Sequence, residues 1–137
     1  MNQKMIIFAT QNCQKNGLFL IINSEMVVFN RYIPFRGYDA INLFGIIFVR
    51  YEPKSPLHQR RIYPSLLNHE RIHTRQQWEL LWIGFYLWYL IEYLFYLIKY
   101  KSRFRAYRSI RFEREAYAYE HDLDYLRHRH LYAWIKL

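Results

Sequence analysis

Residues 80–98 are nineteen consecutive positions with a single charge, Glu92, and no other stretch limits the fold as strongly. Nineteen residues of helix rise about 28 Å, enough by length to cross the hydrocarbon of a bilayer. Composition argues against a simple crossing, because eight of the nineteen are aromatic and four of those are tyrosine. Tyr and Trp favour the headgroup interface over the hydrocarbon centre. The stretch therefore suits an interfacial or half-buried helix. Lys99, Lys101, Arg103, Arg105, Arg108, Arg111 and Arg114 follow it, with no acid before Glu113. Near an anionic surface each such cation contributes roughly 1 kcal/mol. Across the chain the net charge is +9, which calls for an anionic partner, either phospholipid headgroups or nucleic acid.

A chain of 137 residues holds one domain with a modest core. Only 4 Gly and 4 Pro are present, which excludes low-complexity and collagen-like chains. The single cysteine, Cys13, excludes an internal disulfide and any zinc site that needs two thiolates from one chain. The apolar run at 5–9 is too short for a secretory signal, and a cytoplasmic membrane face is expected.

Before the apolar stretch the pattern is β-rich. Residues 18–22 and 26–29 are strand-like, with Asn23, Ser24 and Glu25 as a hairpin turn. Residues 31–40, holding Pro34 and Gly37, read as a connection, and 42–50 as another strand with a bulge at Gly45. Pro53, Ser55, Pro56 and Pro64 then break the pattern. Ser65 is a candidate N-cap for a helix over 65–99, and a second helix is expected over 109–130. The expected architecture is α+β and a single domain over 1–137. A small N-terminal β-rich part (1–64, a hairpin and edge strands) packs on the two helices.

The first helix opens on Asn68-His69-Glu70-Arg71-Ile72-His73, a His-Glu-x-x-His pattern. On a helix His69 and His73 stand one turn apart on one face, so both imidazoles reach one metal ion. Glu70 lies about 100° around the helix, beside the metal, where it can take a proton from a water the metal activates. Gln76 returns to the ligand face. A zinc-finger reading of the same residues fails, because it needs a pair of cysteines shortly upstream. A catalytic zinc takes three protein ligands and keeps a position open. Glu113, Glu115, Glu120, His121, Asp122, Asp124, His128 and His130 are all available for the third.

The segment Phe112-Glu113-Arg114-Glu115-Ala116 bears on that choice. Together with His69–Glu70–His73 it resembles the gluzincin-type zinc metallopeptidases, whose third ligand is the first Glu of a Glu-x-x-Ala element on a later helix. The likeness covers roughly residues 66–121 and is nearest to small bacterial membrane-associated proteins of zinc-peptidase type. More distantly it extends to the integral-membrane prenyl-protein-protease-like and antibiotic-sensor peptidases. Tyr117 stands where that family often has Asp. The resemblance implies a zincin-like fold and zinc peptidase chemistry, with His69, His73 and Glu113 as metal ligands and Glu70 as the catalytic base.

Distance tests this assignment. In a straight helix over 66–98 the far end lies roughly 38 Å beyond His73. A helical return through residues 99–113 gives about 22 Å and falls short, whereas an extended return or a kink near Gly84 suffices. A full bilayer crossing would put Glu113 and His69 on opposite sides, so the crossing is set aside. The rival arrangement is a helical hairpin turning near 101–104, which brings His128 or His130 to the histidine pair. Tyr117, Tyr119 and His121 are unranked candidates for stabilising an oxyanion. Glu115, Glu120, Asp122 and Asp124 read as a solvated face balancing arginines.

These features converge on a Zn²⁺-dependent metallopeptidase acting on a peptide or protein at an anionic membrane surface. The alternatives are a membrane-associated structural protein without chemistry and a nucleic-acid-binding module built on the basic, aromatic segment 99–114. Nucleic acid is the weaker partner, because most of the aromatic content lies in the nearly uncharged 80–98 stretch.

Overall fold

The computed structural model describes residues 5–6, 19–22, 25–30, 32–34, 38–50 and 64–137. The chain divides into two compact units, Met1–Ile62 and Tyr63–Leu137. Cys13, the turn residues Asn23 and Ser24, and the breaks at Pro53, Ser55 and Pro56 lie outside the described residues. Described strands and helices make the fold a mixed one, mostly helical.

In the first unit, β-branched and aromatic runs form β1 (Met5–Ile6), β2 (Phe19–Ile22), β3 (Glu25–Asn30), β4 (Ala40–Leu43) and β5 (Ile46–Arg50). They lie in the sheet order β1-β2-β3-β5-β4. β2 and β3 are antiparallel, with Ile22 opposite Glu25, whereas β3 and β5 run parallel with Val27 opposite Ile47. Val27 and Ile47 are fully buried and form the interior of one sheet face. The single strand expected over 42–50 is instead a hairpin. Phe44 and Gly45 both take positive φ (52° and 78°), the twist that suits a two-residue hairpin loop. Asn42 closes the loop by accepting from the Gly45 amide at 3.0 Å.

The second unit begins with α1 (Pro64–Glu79) and continues through α2 (Ile83–Tyr100), α3 (Arg103–Ser109), α4 (Arg111–Tyr119) and α5 (Tyr125–His128) to a 3₁₀ turn at Ala133–Lys136. Pro64 opens α1, one residue before the expected cap, at a position where a missing N–H costs nothing. The continuous helix expected over 65–99 is broken, and α1 and α2 meet at 110°. Leu81 and Trp82 carry positive φ (51° and 61°). The Ile83 amide donates to the Leu81 carbonyl at 2.6 Å, a γ-turn centred on Trp82. Neither residue is a glycine, so the turn is held by packing. Leu80, Tyr86, Tyr89 and Tyr93 close on a core of Phe85, Ile110, Phe112 and Trp134. That bend shortens the return to Glu113.

The expected helix over 109–130 is likewise broken into α4 and α5. Asn68 donates to the carbonyls of Tyr119, Glu120 and Asp122 at 3.1, 3.2 and 2.9 Å, absorbing the free carbonyls at the end of α4. The return through 103–109 is helical rather than extended. Ser102 caps α3 by accepting from the Arg105 amide. Among the described residues no single helix is long and apolar enough to cross a membrane.

Candidate metal centre

α1 carries His69 and His73 one turn apart, and α4 packs across it with Glu113. These three residues are buried and offer ligand atoms within 4.8 Å of one another. The two Nε2 atoms are 3.2 Å apart. Glu113 Oε2 lies 3.5 Å from His69 Nε2, and Glu113 Oε1 lies 3.4 Å from His73 Nε2. Four ligands at about 2.0–2.1 Å on a tetrahedron stand about 3.3 Å apart, close to the separation of the two Nε2 atoms and of each from one Glu113 oxygen.

The groups behind the ligands fix their orientation. Gln76 donates through Nε2 to the Phe112 carbonyl (3.1 Å) and to Glu115 (2.9 Å), both acceptors, which turns its Oε1 toward His73. His73 Nδ1 lies 2.8 Å from that oxygen, so Nδ1 carries the hydrogen and Nε2 faces the cluster. His69 Nδ1 lies 3.0 Å from Glu120 Oε2, which imposes the same tautomer. Tyr89 on α2 donates to Glu113 Oε1 at 2.9 Å. Glu113 Oε2 is buried with no hydrogen-bond partner. A buried carboxylate oxygen without a donor is costly unless a cation completes it.

Protonation follows from the same contacts. Burial works against an imidazolium at His73, yet the charge and hydrogen bond of Glu113, aided by Glu70 and Gln76, lift it from 6.5 to about 9. Burial likewise opposes a charge on Glu113, and His73 and His69 overcome it, holding the carboxyl well below the usual range. Burial raises the Glu70 carboxyl, with the two histidines pulling the other way. A raised carboxyl beside a metal group suits proton exchange better than a freely solvated one.

Of the three oxyanion candidates, Tyr117 sits at the cluster, its ring edge-on to His69 with centroids 4.6 Å apart. Its hydroxyl is 3.2 Å from that of Tyr107, and the Arg108 guanidinium lies over its ring. Tyr119 stacks on Tyr125 instead, and His121 is exposed beside Glu120. His128 and His130 are exposed, and His128 lies 3.6 Å from Asp122, so neither joins the histidine pair.

The acids expected on a solvated face divide. Asp122 and Asp124 are exposed, and Asp124 pairs with Arg127 at 3.1 Å. Glu120 holds His69. Glu115 is fully buried, because Arg129 Nε (2.5 Å), Tyr125 (2.8 Å) and Gln76 all donate to it. Arg129 also bridges to Glu79, which accepts in addition from Trp134 Nε1 (3.1 Å) and the Tyr132 amide (3.0 Å). Sequence reasoning missed this second buried cluster, since Glu79 and Arg129 are fifty residues apart in a chain rich in charge. A cleft of about 300 Å³ borders it, lined by Arg75, Trp78, Glu79, Leu126, Arg129 and Leu131, none of them in the metal group. No family model, curated protein or solved structure matches the chain.

Proposed function

We propose that this chain is a gluzincin-like zinc metallopeptidase that works at a membrane surface, with His69, His73 and Glu113 holding the ion. The single observation that carries this reading is the buried Glu113 carboxylate, its Oε2 without a donor and its two oxygens each near ligand spacing from one of two Nε2 atoms whose rings are locked from behind. Two histidines and one carboxylate suit zinc in a site that keeps one position open. A zinc ion so held supplies Lewis acidity, polarising a peptide carbonyl and making water acidic enough to ionise near neutral pH. Glu70 receives the proton from water and returns it to the leaving amine, a role matched to its raised carboxyl. Of Tyr117, Tyr119 and His121, Tyr117, its ring packed on His69, is the candidate to steady the carbonyl oxygen.

One observation favours a second reading. His69, Glu70, His73 and Glu113 are each exposed by 7% or less, a closed environment more usual for a metal that braces a fold. Metal analysis and a peptide-pool digest separate the two. The peptidase reading expects about one zinc per chain, lost in His69→Ala and kept in Glu70→Gln. It also expects Glu70→Gln to lower peptide cleavage by roughly 10²–10⁴-fold. Zinc retention with no cleavage by either protein establishes the bracing role. Absence of zinc after metal-replete expression overturns both.

A further inference from the structure

The faces of α2 are sorted in a way that composition does not reveal. Ile83, Leu87, Leu90, Ile91, Leu94 and Ile98 are all exposed. At 100° per residue they fall within an arc of about 100°, and no polar residue interrupts it. Ile83 and Ile98, at the two ends, are 77% and 78% exposed. The polar groups of the helix turn the other way. Tyr89 donates to Glu113, and buried Glu92 accepts from the Arg111 amide at 2.9 Å and pairs with its side chain. An exposed stripe of six large aliphatic residues is far beyond the scattered apolar surface of an ordinary soluble chain.

Charge identifies what covers it. Lys99, Lys101, Arg103 and Arg105 are exposed at the C-terminal end of the stripe and along α3. A second copy of a +9 chain would bring like charge to like, whereas anionic headgroups neutralise it. The path of the chain sets the orientation. Arg111 meets Glu92 and Glu113 meets Tyr89, so α3 runs back beside the C-terminal end of α2. Standing α2 upright in a bilayer would draw Arg103, Arg105 and Arg108 into hydrocarbon, which is costly. We infer that α2 lies in the plane of an anionic membrane, its aliphatic stripe among the acyl chains and its Lys/Arg cluster on the headgroups. This sharpens the membrane element of the proposed function and is independent of the metal chemistry.

Flotation with vesicles of phosphatidylcholine and phosphatidylglycerol in equal parts tests it, with phosphatidylcholine alone as the comparison. The full chain should float with the anionic vesicles and more weakly with the neutral ones. Ile91→Asp and Leu94→Asp should each lower partitioning roughly tenfold or more, with zinc content and circular dichroism unchanged. The double variant Lys101→Glu/Arg105→Glu should lose the preference for anionic vesicles. Depth-dependent quenching of a fluorophore at Ile83→Cys, Ile91→Cys or Ile98→Cys, each with Cys13→Ser, should report one common depth. Wild-type flotation by both Asp variants overturns the proposal. So does a dimer that ignores vesicles and dissociates on Ile91→Asp, and so does a position 91 much deeper than 83 and 98.

Discussion

Two buried charged clusters both draw their acids from α1 or α4, and they are built on opposite principles. At one, Arg129 sits between Glu79 and Glu115, and donors from Gln76, Tyr125, Tyr132 and Trp134 complete the carboxylates. At the other, Glu113 faces two imidazoles and keeps one oxygen without a donor. A completed cluster has no use for a ligand and serves the fold. An incomplete one, held rigid from behind, is poised for a cation. Gln76 joins them, taking its orientation from Glu115 and giving it to His73.

The largest expected effect comes from breaking the completed cluster. Arg129→Leu leaves two carboxylates buried without their cation and should destabilise the fold by roughly 3–5 kcal/mol, read by urea denaturation with and without zinc. A loss that zinc fully repairs would refute the division between fold and metal. Cutting the link has a smaller effect. Gln76→Leu should weaken zinc binding about 10–100-fold in a chelator competition, because His73 loses the group that fixes its tautomer. Unchanged affinity would show that the two clusters are independent.

The third effect is in the pH dependence of the zinc-free protein. His73 is raised from 6.5 to about 9, so its stabilisation is complete below pH 6.5 and is lost as pH rises through 9. The raised Glu70 acts in the same direction, whereas the lowered Glu113 contributes stability that is lost as pH falls below 4.5. The melting temperature without zinc should therefore drop by several degrees between pH 6.5 and 9. With zinc present, the added stabilisation should grow over the same range, since the ion competes with the His73 proton. A flat profile without zinc would remove the His73–Glu113 pairing from the comparison.

Much of the metal group was legible before any coordinates. His69 and His73 share a face because a helix repeats every 3.6 residues, a local rule that needs no tertiary contact. Glu113 came from a resemblance, and the geometry brings it to the pair. The strands at 19–22 and 25–30 follow from β-branched and apolar runs, but a glycine inside the strand-like run 42–50 points to a bulge at Gly45, and the pattern does not show that Phe44 also takes the positive φ of a hairpin turn. The sequence pattern puts Glu115 and Glu120 on a solvated face, since nothing local distinguishes an acid that finds a buried donor from one that meets water.

The sequence by itself determined which chemistry was available: two imidazoles one turn apart, a carboxylate beside them, and one long apolar helix followed by cations. Tertiary structure decided how these were used. It bent the chain by 110° at residues without glycine or proline, which brought Glu113 back to the histidines. It also turned the tyrosine and glutamate of α2 inward and its aliphatic residues outward. The physical reason is one of range. Helical periodicity is set by bonds between neighbours four residues apart. The bend, the paired clusters and the choice of buried face depend on packing between residues tens of positions apart, whose free energy no single stretch of sequence contains.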